Sequence, residues 1–306
     1  MTAAVNTTPG FASRLVNGVL AIKPLANLAK HQARQMMIKR AERIGVPWTQ
    51  EVETLQARDW KADLTQVENL QLSYPEYYLR PFHAYEGGDL SWKAAWELEV
   101  AARTVHAGIW QDAGAEGDAK LRQSYHDILK AQIPNQPQDI LDLACAVGLS
   151  TFAMQEIYPH AKITGLDLSP YFLAVANYRA QQRQAKINWL HAQAESTGLP
   201  DASFDLVSIF LMCHELPQSA TRQIFAEMRR VLRPGGYLAI MDMNPKSEVY
   251  KKMPAYILTL LKSTEPYLDE YFALDIEQAI VEAGFQTPTI TNNTHRHRTA
   301  IAQVSG

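Results

Sequence analysis

The residues best suited to chemistry form a short apolar strand, a turn of very small side chains and a more distant acid. Residues 140–148 read ILDLACAVG, and Asp167 follows Gly148 nineteen positions later, at the end of a second predicted strand. Small side chains let a backbone approach a ligand closely, and a carboxylate accepts hydrogen bonds from ribose hydroxyls. The pattern predicts a nucleoside site at the carboxyl edge of a parallel sheet.

The spacing within this turn separates two kinds of nucleotide site. A dinucleotide fold needs G-x-G-x-x-G, so that a helix N-terminus can receive a pyrophosphate. Here Ala144, Ala146 and Gly148 recur at a spacing of two, and no third glycine stands where the dinucleotide motif requires it. The pattern therefore disfavours NAD and favours a ligand without a pyrophosphate.

The elements around this turn alternate between strands and helices after residue 138. An apolar helical pattern covers residues 149–157, and Ser169-Pro170 predicts the start of the next helix. Strands are predicted at residues 139–143, 162–167, 187–191, 204–210, 237–242, 286–291 and 298–304. Such alternation predicts an α/β fold with a doubly wound, mainly parallel seven-stranded sheet, closed by an antiparallel hairpin.

The first part of the chain has a helical period instead. Helices are predicted at residues 24–43, 48–57, 91–107 and 116–131. Residues 74–92, called here the aromatic segment, are rich in tyrosine and broken by proline and glycine, which predicts an ordered irregular segment. We predict a helical N-terminal extension or lid over residues 1–132 and a Rossmann-like nucleoside-binding domain over residues 133–306.

Composition narrows the functional classes. The chain has 306 residues, 47% of them hydrophobic and 20% charged, with a net charge of −3. Two cysteines, Cys145 and Cys213, indicate a reducing compartment rather than a disulfide scaffold. No apolar run reaches the roughly 18–20 residues that a membrane span requires. The overall acidity argues against nucleic acid as a partner.

The N-terminal head differs from the rest. Residues 1–41 contain six Lys or Arg and no Asp or Glu. Three interpretations are open: surface helices, an amphipathic membrane-surface segment or a transit peptide. We expect a cytoplasmic protein that is a candidate for peripheral membrane contact through this head.

Four segments together resemble the class I S-adenosylmethionine-dependent methyltransferases, over about residues 138–306. The strand and turn at 140–148 resemble that family's first motif, and residues 165–170 (GLDLSP) its second. Residues 199–207 resemble the approach to strand 4, and residues 231–238 the entry to strand 5. The nearest group within the family acts on quinones and other small lipophilic molecules.

The resemblance implies S-adenosyl-L-methionine as cofactor and S-adenosyl-L-homocysteine as product. The implied cofactor residues are Asp142, Ala144, Cys145, Ala146, Gly148, Asp167, Leu168, Gln193, Ala194, Phe210 and Met212. Asp142 and the following turn would line the methionine half, and Asp167 would bind the ribose hydroxyls. Alanine stands at 144 and 146 where the family usually has glycine, which is tolerable only with a negative φ at both positions.

Residues that could act on a methyl acceptor follow the fourth strand. His214 could take a proton near neutral pH, with Glu215 orienting it or touching substrate. His214 could equally be a helix-start or supporting residue. His83, in the aromatic segment, is a second catalytic candidate or a packed residue. No dense cluster of metal ligands is visible, and we expect no metal.

The acceptor pocket is expected from the aromatic segment and from residues 245–275, called here the late insertion. Either element could be a lid, and the late insertion could equally be a small helical pair. The candidate acceptor residues are Tyr78, Tyr85, Trp92, Tyr250 and Tyr271. Aromatic walls suit a lipophilic or aromatic small molecule.

The sequence therefore predicts S-adenosylmethionine-dependent methyl transfer to a small acceptor. Two rivals are a non-catalytic binding or scaffold protein that keeps the fold, and an NAD(P)-dependent oxidoreductase. The oligomeric state and the acceptor atom are not predicted.

Overall fold

The computed structural model describes residues 23–83 and 85–305, and the basic head up to residue 22 lies outside that range. Seven strands form one sheet with the spatial order β3-β2-β1-β4-β5-β7-β6. They are β1 (Asp139–Leu143), β2 (Lys162–Asp167), β3 (Ile187–His191), β4 (Phe204–Phe210), β5 (Leu232–Met243), β6 (Thr289–Asn292) and β7 (His297–Gln303). β1 to β5 pair in parallel, and β7 is antiparallel to both neighbours. The predicted α/β fold is confirmed.

Helices surround the sheet and precede it. Before β1 lie α1 (Lys23–Arg43), α2 (Trp48–Gln56), α3 (Lys61–Val67), α4 (Trp92–His106) and α5 (Gly117–Gln132). Within the sheet region lie α6 (Leu149–Ile157), α7 (Pro170–Arg183), α8 (Gln218–Val231), α9 (Glu248–Lys251), α10 (Ala255–Thr264), α11 (Leu268–Ala273) and α12 (Ile276–Glu282). Short 3₁₀ turns occur at Glu76–Leu79, Gly114–Glu116 and Cys213–Glu215. Among the described residues, no helix is both long and apolar enough to cross a membrane.

The register of the central strands sets where the site must be. Leu143 pairs with Leu166 of β2 and with Ile209 of β4, so the three strands end at the same edge. β1 and β4 are buried along almost their whole length, as expected for strands covered by helices on both faces. The turns that follow these strands therefore lie side by side.

Three local features position those turns. Gly148 caps α6 with a φ of 86°, in the left-handed region that glycine enters without strain. Ser169 caps α7 by accepting a hydrogen bond from the Phe172 amide at 3.3 Å, with Pro170 in the first turn. Gly165 of β2 faces the Trp189 ring, and a Cβ there would lie 2.5 Å from it.

The helical N-terminal part packs directly on the sheet. Tyr125 of α5 is fully buried, and its hydroxyl lies 3.0 Å from Ser208 Oγ and 3.2 Å from the Ala239 carbonyl oxygen. On the other side, Trp92 of α4 packs edge-on against Tyr171 of α7, with ring centroids 4.9 Å apart. These contacts place the aromatic segment beside the carboxyl edge of the sheet.

The elements differ from the sequence prediction in two places. α3 was not predicted, because seven residues are too few to show a helical period. β5 begins at Leu232 rather than at residue 237, since the chain continues through Pro234 and both glycines with a register shift opposite Phe204–Leu206. This irregularity is a bulge at the strand's entry, away from the site.

Candidate functional site

A large cavity of about 1070 Å³ lies at the carboxyl edge of the sheet. Its walls come from the turns after β1, β2 and β4, from the aromatic segment, from α4 and from the late insertion. The volume is at the upper end of the roughly 300–1,000 Å³ typical of small-molecule sites. It is large enough for two ligands placed side by side.

Asp167 forms one wall of this cavity at the end of β2. Its Oδ2 accepts a hydrogen bond from the Ala146 amide at 2.8 Å, and its Oδ1 accepts one from the Ser169 amide at 2.8 Å. Burial raises the pKa of this carboxyl, the two amides lower it, and the nearby Asp89 and Glu215 raise it further, to about 7. Each oxygen keeps acceptor capacity for a ligand hydroxyl.

The small-residue turn after β1 lies next to Asp167, and its alanines have a conformation that the sequence did not predict. Ala144 has a φ of 54° and Ala146 a φ of 48°. The expectation of negative φ at both positions is therefore wrong. Both alanines are held in the left-handed region by the turn, as glycine would be, and each is strained.

The Asp142 side chain supports the turn after β1 and does not line the cavity. Its side chain is fully buried, and its Oδ2 accepts hydrogen bonds from Ser150 Oγ at 2.7 Å and Thr151 Oγ1 at 2.6 Å. These bonds tie the end of β1 to the first turn of α6. Asp142 lies behind the cavity wall, as does Gly148, so both act on the site through the shape of the turn.

Most of the other predicted cofactor residues line the cavity, and Gln193 does not. Those lining it are Ala144, Cys145, Ala146, Asp167, Leu168, Ala194, Phe210 and Met212. Gln193 lies outside, and its amide donates a hydrogen bond to the Ser73 carbonyl oxygen. The two thiols, Cys145 and Cys213, are buried and free.

His214 follows β4 and is paired with a residue that sequence reasoning missed. Its Nδ1 lies 2.8 Å from Asp242 Oδ1, and its backbone amide donates to Asp242 Oδ2 at 3.2 Å. Burial lowers the pKa of His214, but Asp242 raises it, with a smaller contribution from Glu215, to about 9. Asp242, not Glu215, therefore orients the imidazole, because Glu215 Oε1 is 3.8 Å from Nε2.

His83 meets three carboxylates on the acceptor side of the cavity. Its Nε2 lies 3.0 Å from Glu265 Oε1 and 3.3 Å from Glu215 Oε1, and its Nδ1 lies 3.9 Å from Asp89 Oδ1. Burial lowers the pKa of His83, but the surrounding carboxylates outweigh it and raise the pKa well above its usual value. The His83 amide donates to the Thr264 carbonyl oxygen at 3.2 Å, which holds the aromatic segment against the end of α10.

Three of the five candidate acceptor residues line the cavity, and two do not. Tyr78, Tyr85 and Tyr250 line the cavity. Trp92 lies in the aromatic packing between α4 and α7, and Tyr271 is buried with its hydroxyl donating to the Met243 carbonyl oxygen at 2.6 Å. These two residues support the walls rather than forming them.

Asp242, Glu265 and Asp89 were not identified from the sequence. Asp242 lies near the carboxyl end of β5. The rule that identified Asp167, an acid at the end of a predicted strand, could therefore have identified Asp242 as well. Asp89 and Glu265 stand in irregular segments, where no strand end or motif marks them.

Known proteins resemble parts of this chain. A family described as "Methyltransferase domain" matches residues 140–236, which hold the turn after β1, Asp167 and β4. The resemblance to the class I S-adenosylmethionine-dependent methyltransferases is confirmed over these residues. A demethylmenaquinone methyltransferase of Thermus thermophilus is 33% identical over 109 residues, 36% of this chain and 49% of that protein. The chain therefore covers about half the length of that relative.

Two further comparisons extend beyond the methyltransferase domain. A malonyl-[acyl-carrier protein] O-methyltransferase of a Paenibacillus species is 29% identical over 198 residues, 63% of this chain and 69% of that protein. The structure of Haemonchus contortus phosphoethanolamine N-methyltransferase 2 with S-adenosyl-L-methionine matches with a TM-score of 0.51 at 15% identity. That match covers 72% of this chain and 62% of the other, and it shows the fold alone.

The strained turn yields a stability prediction. Ala146→Gly should raise the free energy of unfolding by up to about 1 kcal/mol, because glycine enters the left-handed region without the alanine's strain. Ala226→Gly, at an exposed position inside α8, should instead lower it by about 1 kcal/mol. Urea denaturation of both variants measures the difference. Equal losses in the two variants would contradict the strain at Ala146.

Proposed function

We propose that this protein transfers a methyl group from S-adenosyl-L-methionine to a small lipophilic or aromatic acceptor. The observation that carries the proposal is the buried Asp167 carboxylate, which faces a large cavity beside the small-residue turn of a methyltransferase domain. In this proposal Asp167 accepts hydrogen bonds from the two ribose hydroxyls of the cofactor.

The residues present suit such a cofactor. Both Asp167 oxygens already accept one backbone amide each, which fixes the carboxylate while leaving lone pairs for two hydroxyls. Leu168 and Ala194 provide apolar surface for an adenine ring, and Ala144 and Ala146 leave the backbone accessible. Bound S-adenosyl-L-methionine would supply a methyl group that is already activated as a sulfonium.

The rest of the cavity supports the acceptor class. Phe210, Met212, Tyr78, Tyr85 and Tyr250 give it an apolar wall with phenolic hydroxyls at intervals. Such a wall excludes water and holds an acceptor in line with the methyl group, which is most of what this displacement requires. The aromatic segment and the late insertion act as the lid in this proposal. The Thermus relative is named for a quinone acceptor and the Paenibacillus relative for a carrier-bound malonyl group.

His214 and Asp242 supply the proton chemistry in this proposal. His214 lines the cavity, and Asp242 holds its Nδ1 and fixes the ring. After His214 has lost its own proton to solvent, the fixed imidazole can hydrogen-bond an oxygen of the methyl acceptor and receive the proton of that oxygen. His83 and Glu215 face the same space and complete the set of catalytic candidates.

Two rivals make different predictions. A scaffold protein would keep the fold without binding S-adenosyl-L-homocysteine. An NAD(P)-dependent oxidoreductase would bind a dinucleotide at the same edge, and NADH would then displace S-adenosyl-L-homocysteine. Titration calorimetry with both ligands on the full chain separates the three functions.

The Asp167 carboxyl makes cofactor affinity depend on pH. Its pKa of about 7 lies near neutrality, and the protonated form loses acceptor capacity toward the ribose. The dissociation constant for S-adenosyl-L-homocysteine should therefore rise about tenfold as pH falls from 8 to 6. Titration calorimetry across this range measures the change.

Asp167→Asn is the matched control for that pH profile. The amide presents one oxygen instead of two and cannot ionise, so affinity should fall by about 10- to 150-fold, the worth of a charge-assisted hydrogen bond. Any pH dependence that remains in the variant belongs to the ligand or to other titrating groups of the cavity. The ribose assignment fails when wild type and variant have equal affinities, or parallel pH profiles.

The His214–Asp242 pair should affect turnover and not cofactor binding. His214→Gln and Asp242→Asn should each lower kcat by about 10²–10⁴-fold, the range for loss of a general acid–base group, with S-adenosyl-L-homocysteine affinity unchanged. The assay follows the transfer of a labelled methyl group to reduced demethylmenaquinone or to malonyl-acyl-carrier protein. His160→Gln, exposed and outside the cavity, is the control. Full turnover in both variants would remove the pair from the mechanism.

A further inference from the structure

Three side chains from distant parts of the chain meet on the acceptor side of the cavity. His83 comes from the aromatic segment, Glu215 from the turn after β4, and Glu265 from the residue after α10. One ligand atom from each lies within 4.8 Å of the other two. Among residues 23–83 and 85–305, they are the one such group of three potential metal ligands.

The distances between these atoms fit a shared ion. Three ligands about 2.1 Å from one cation, at tetrahedral or octahedral angles, lie about 3.0–3.4 Å apart. His83 Nε2 is 3.0 Å from Glu265 Oε1 and 3.3 Å from Glu215 Oε1, and the ligand atoms of the two glutamates lie within 4.8 Å of each other. Two of the three separations therefore already match those around a shared cation.

The charge of this cluster also favours a cation. Glu215, Glu265 and Asp89 lie around His83, and the described basic side chains within 4.0 Å of these carboxylates are the imidazoles of His83 and His214, with no Lys or Arg. Glu265 is 7% exposed, and its Oε2 is a buried oxygen without a hydrogen-bond partner. A buried, unpartnered carboxylate oxygen is costly, and coordination to a cation would satisfy it.

We propose that His83, Glu215 and Glu265 bind one divalent cation of the Zn²⁺ or Mn²⁺ type. One imidazole nitrogen with two carboxylates suits these ions, and Mg²⁺ rarely accepts an imidazole ligand. The cation takes the Nε2 lone pair, and the proton of that nitrogen leaves to solvent. The remaining coordination positions open into the cavity.

The place of this site suggests its use. Glu215 and His214 are adjacent in sequence, so the cation lies beside the proposed proton-handling pair. There it would hold an oxygen atom of the acceptor through an open coordination position. This use rests on the proposed methyl transfer, but metal binding itself does not.

Two other interpretations compete with a metal site. In the first, a protonated His83 bridges the carboxylates without a metal. In the second, an ammonium group of an organic ligand binds to the carboxylates and makes no use of the imidazole lone pair. Metal binding by the wild-type chain, and its dependence on His83, separates both from the proposal.

The test uses ZnCl₂ and MnCl₂ with the full chain in titration calorimetry, without cofactor. Wild type should bind one ion per chain. Glu265→Gln and His83→Asn should each bind at least about tenfold more weakly. Asparagine suits position 83 because it tolerates the φ of 48° there. Glu86→Gln removes another carboxylate of the same cavity and should bind like wild type.

X-ray absorption of the zinc-loaded wild-type protein gives an answer that needs no variant. The expected shell contains one imidazole nitrogen together with oxygens. The proposal would be overturned if wild type bound no ion, if both cluster variants bound as tightly as wild type, or if the shell contained no imidazole. S-adenosyl-L-homocysteine affinity, measured on the same samples, reports separately on the proposed function, so either can fail alone.

Discussion

The Asp167 carboxylate joins the ends of two neighbouring strands, and the geometry of the site depends on it. By accepting amides from Ala146 and Ser169, it fixes the turn after β1 against the start of α7. Asp142 performs the matching task one strand away, by holding Ser150 and Thr151 at the start of α6. Two buried acids thus set the width of the cleft before any ligand enters.

The strands and the place of Asp167 at the carboxyl edge of the sheet were predictable because their information is local. Each parallel strand is a short apolar run between turn residues, and Asp167 is marked by its place at the end of one. The backbone of the turn was not predictable from composition. Ala144 and Ala146 have positive φ because the surrounding hydrogen bonds impose it, and no residue type announced that strain.

The acceptor side was only partly predictable, because it is assembled from residues far apart in the chain. His83 and His214 were identified from their aromatic or strand-end context. Glu265 was not, since its position depends on how α10 packs and on the bond between the His83 amide and Thr264. The resulting cavity holds the Asp167 carboxylate and, near it, a group of carboxylates and imidazoles, and its other walls are largely apolar.

A crystal structure of the full chain with S-adenosyl-L-homocysteine tests the account most directly. We expect both ribose hydroxyls within hydrogen-bond distance of Asp167, the adenine against Leu168, and the sulfur directed toward the space beside His214. A ligand bound elsewhere, or a ribose that does not contact the Asp167 carboxylate, would contradict the account.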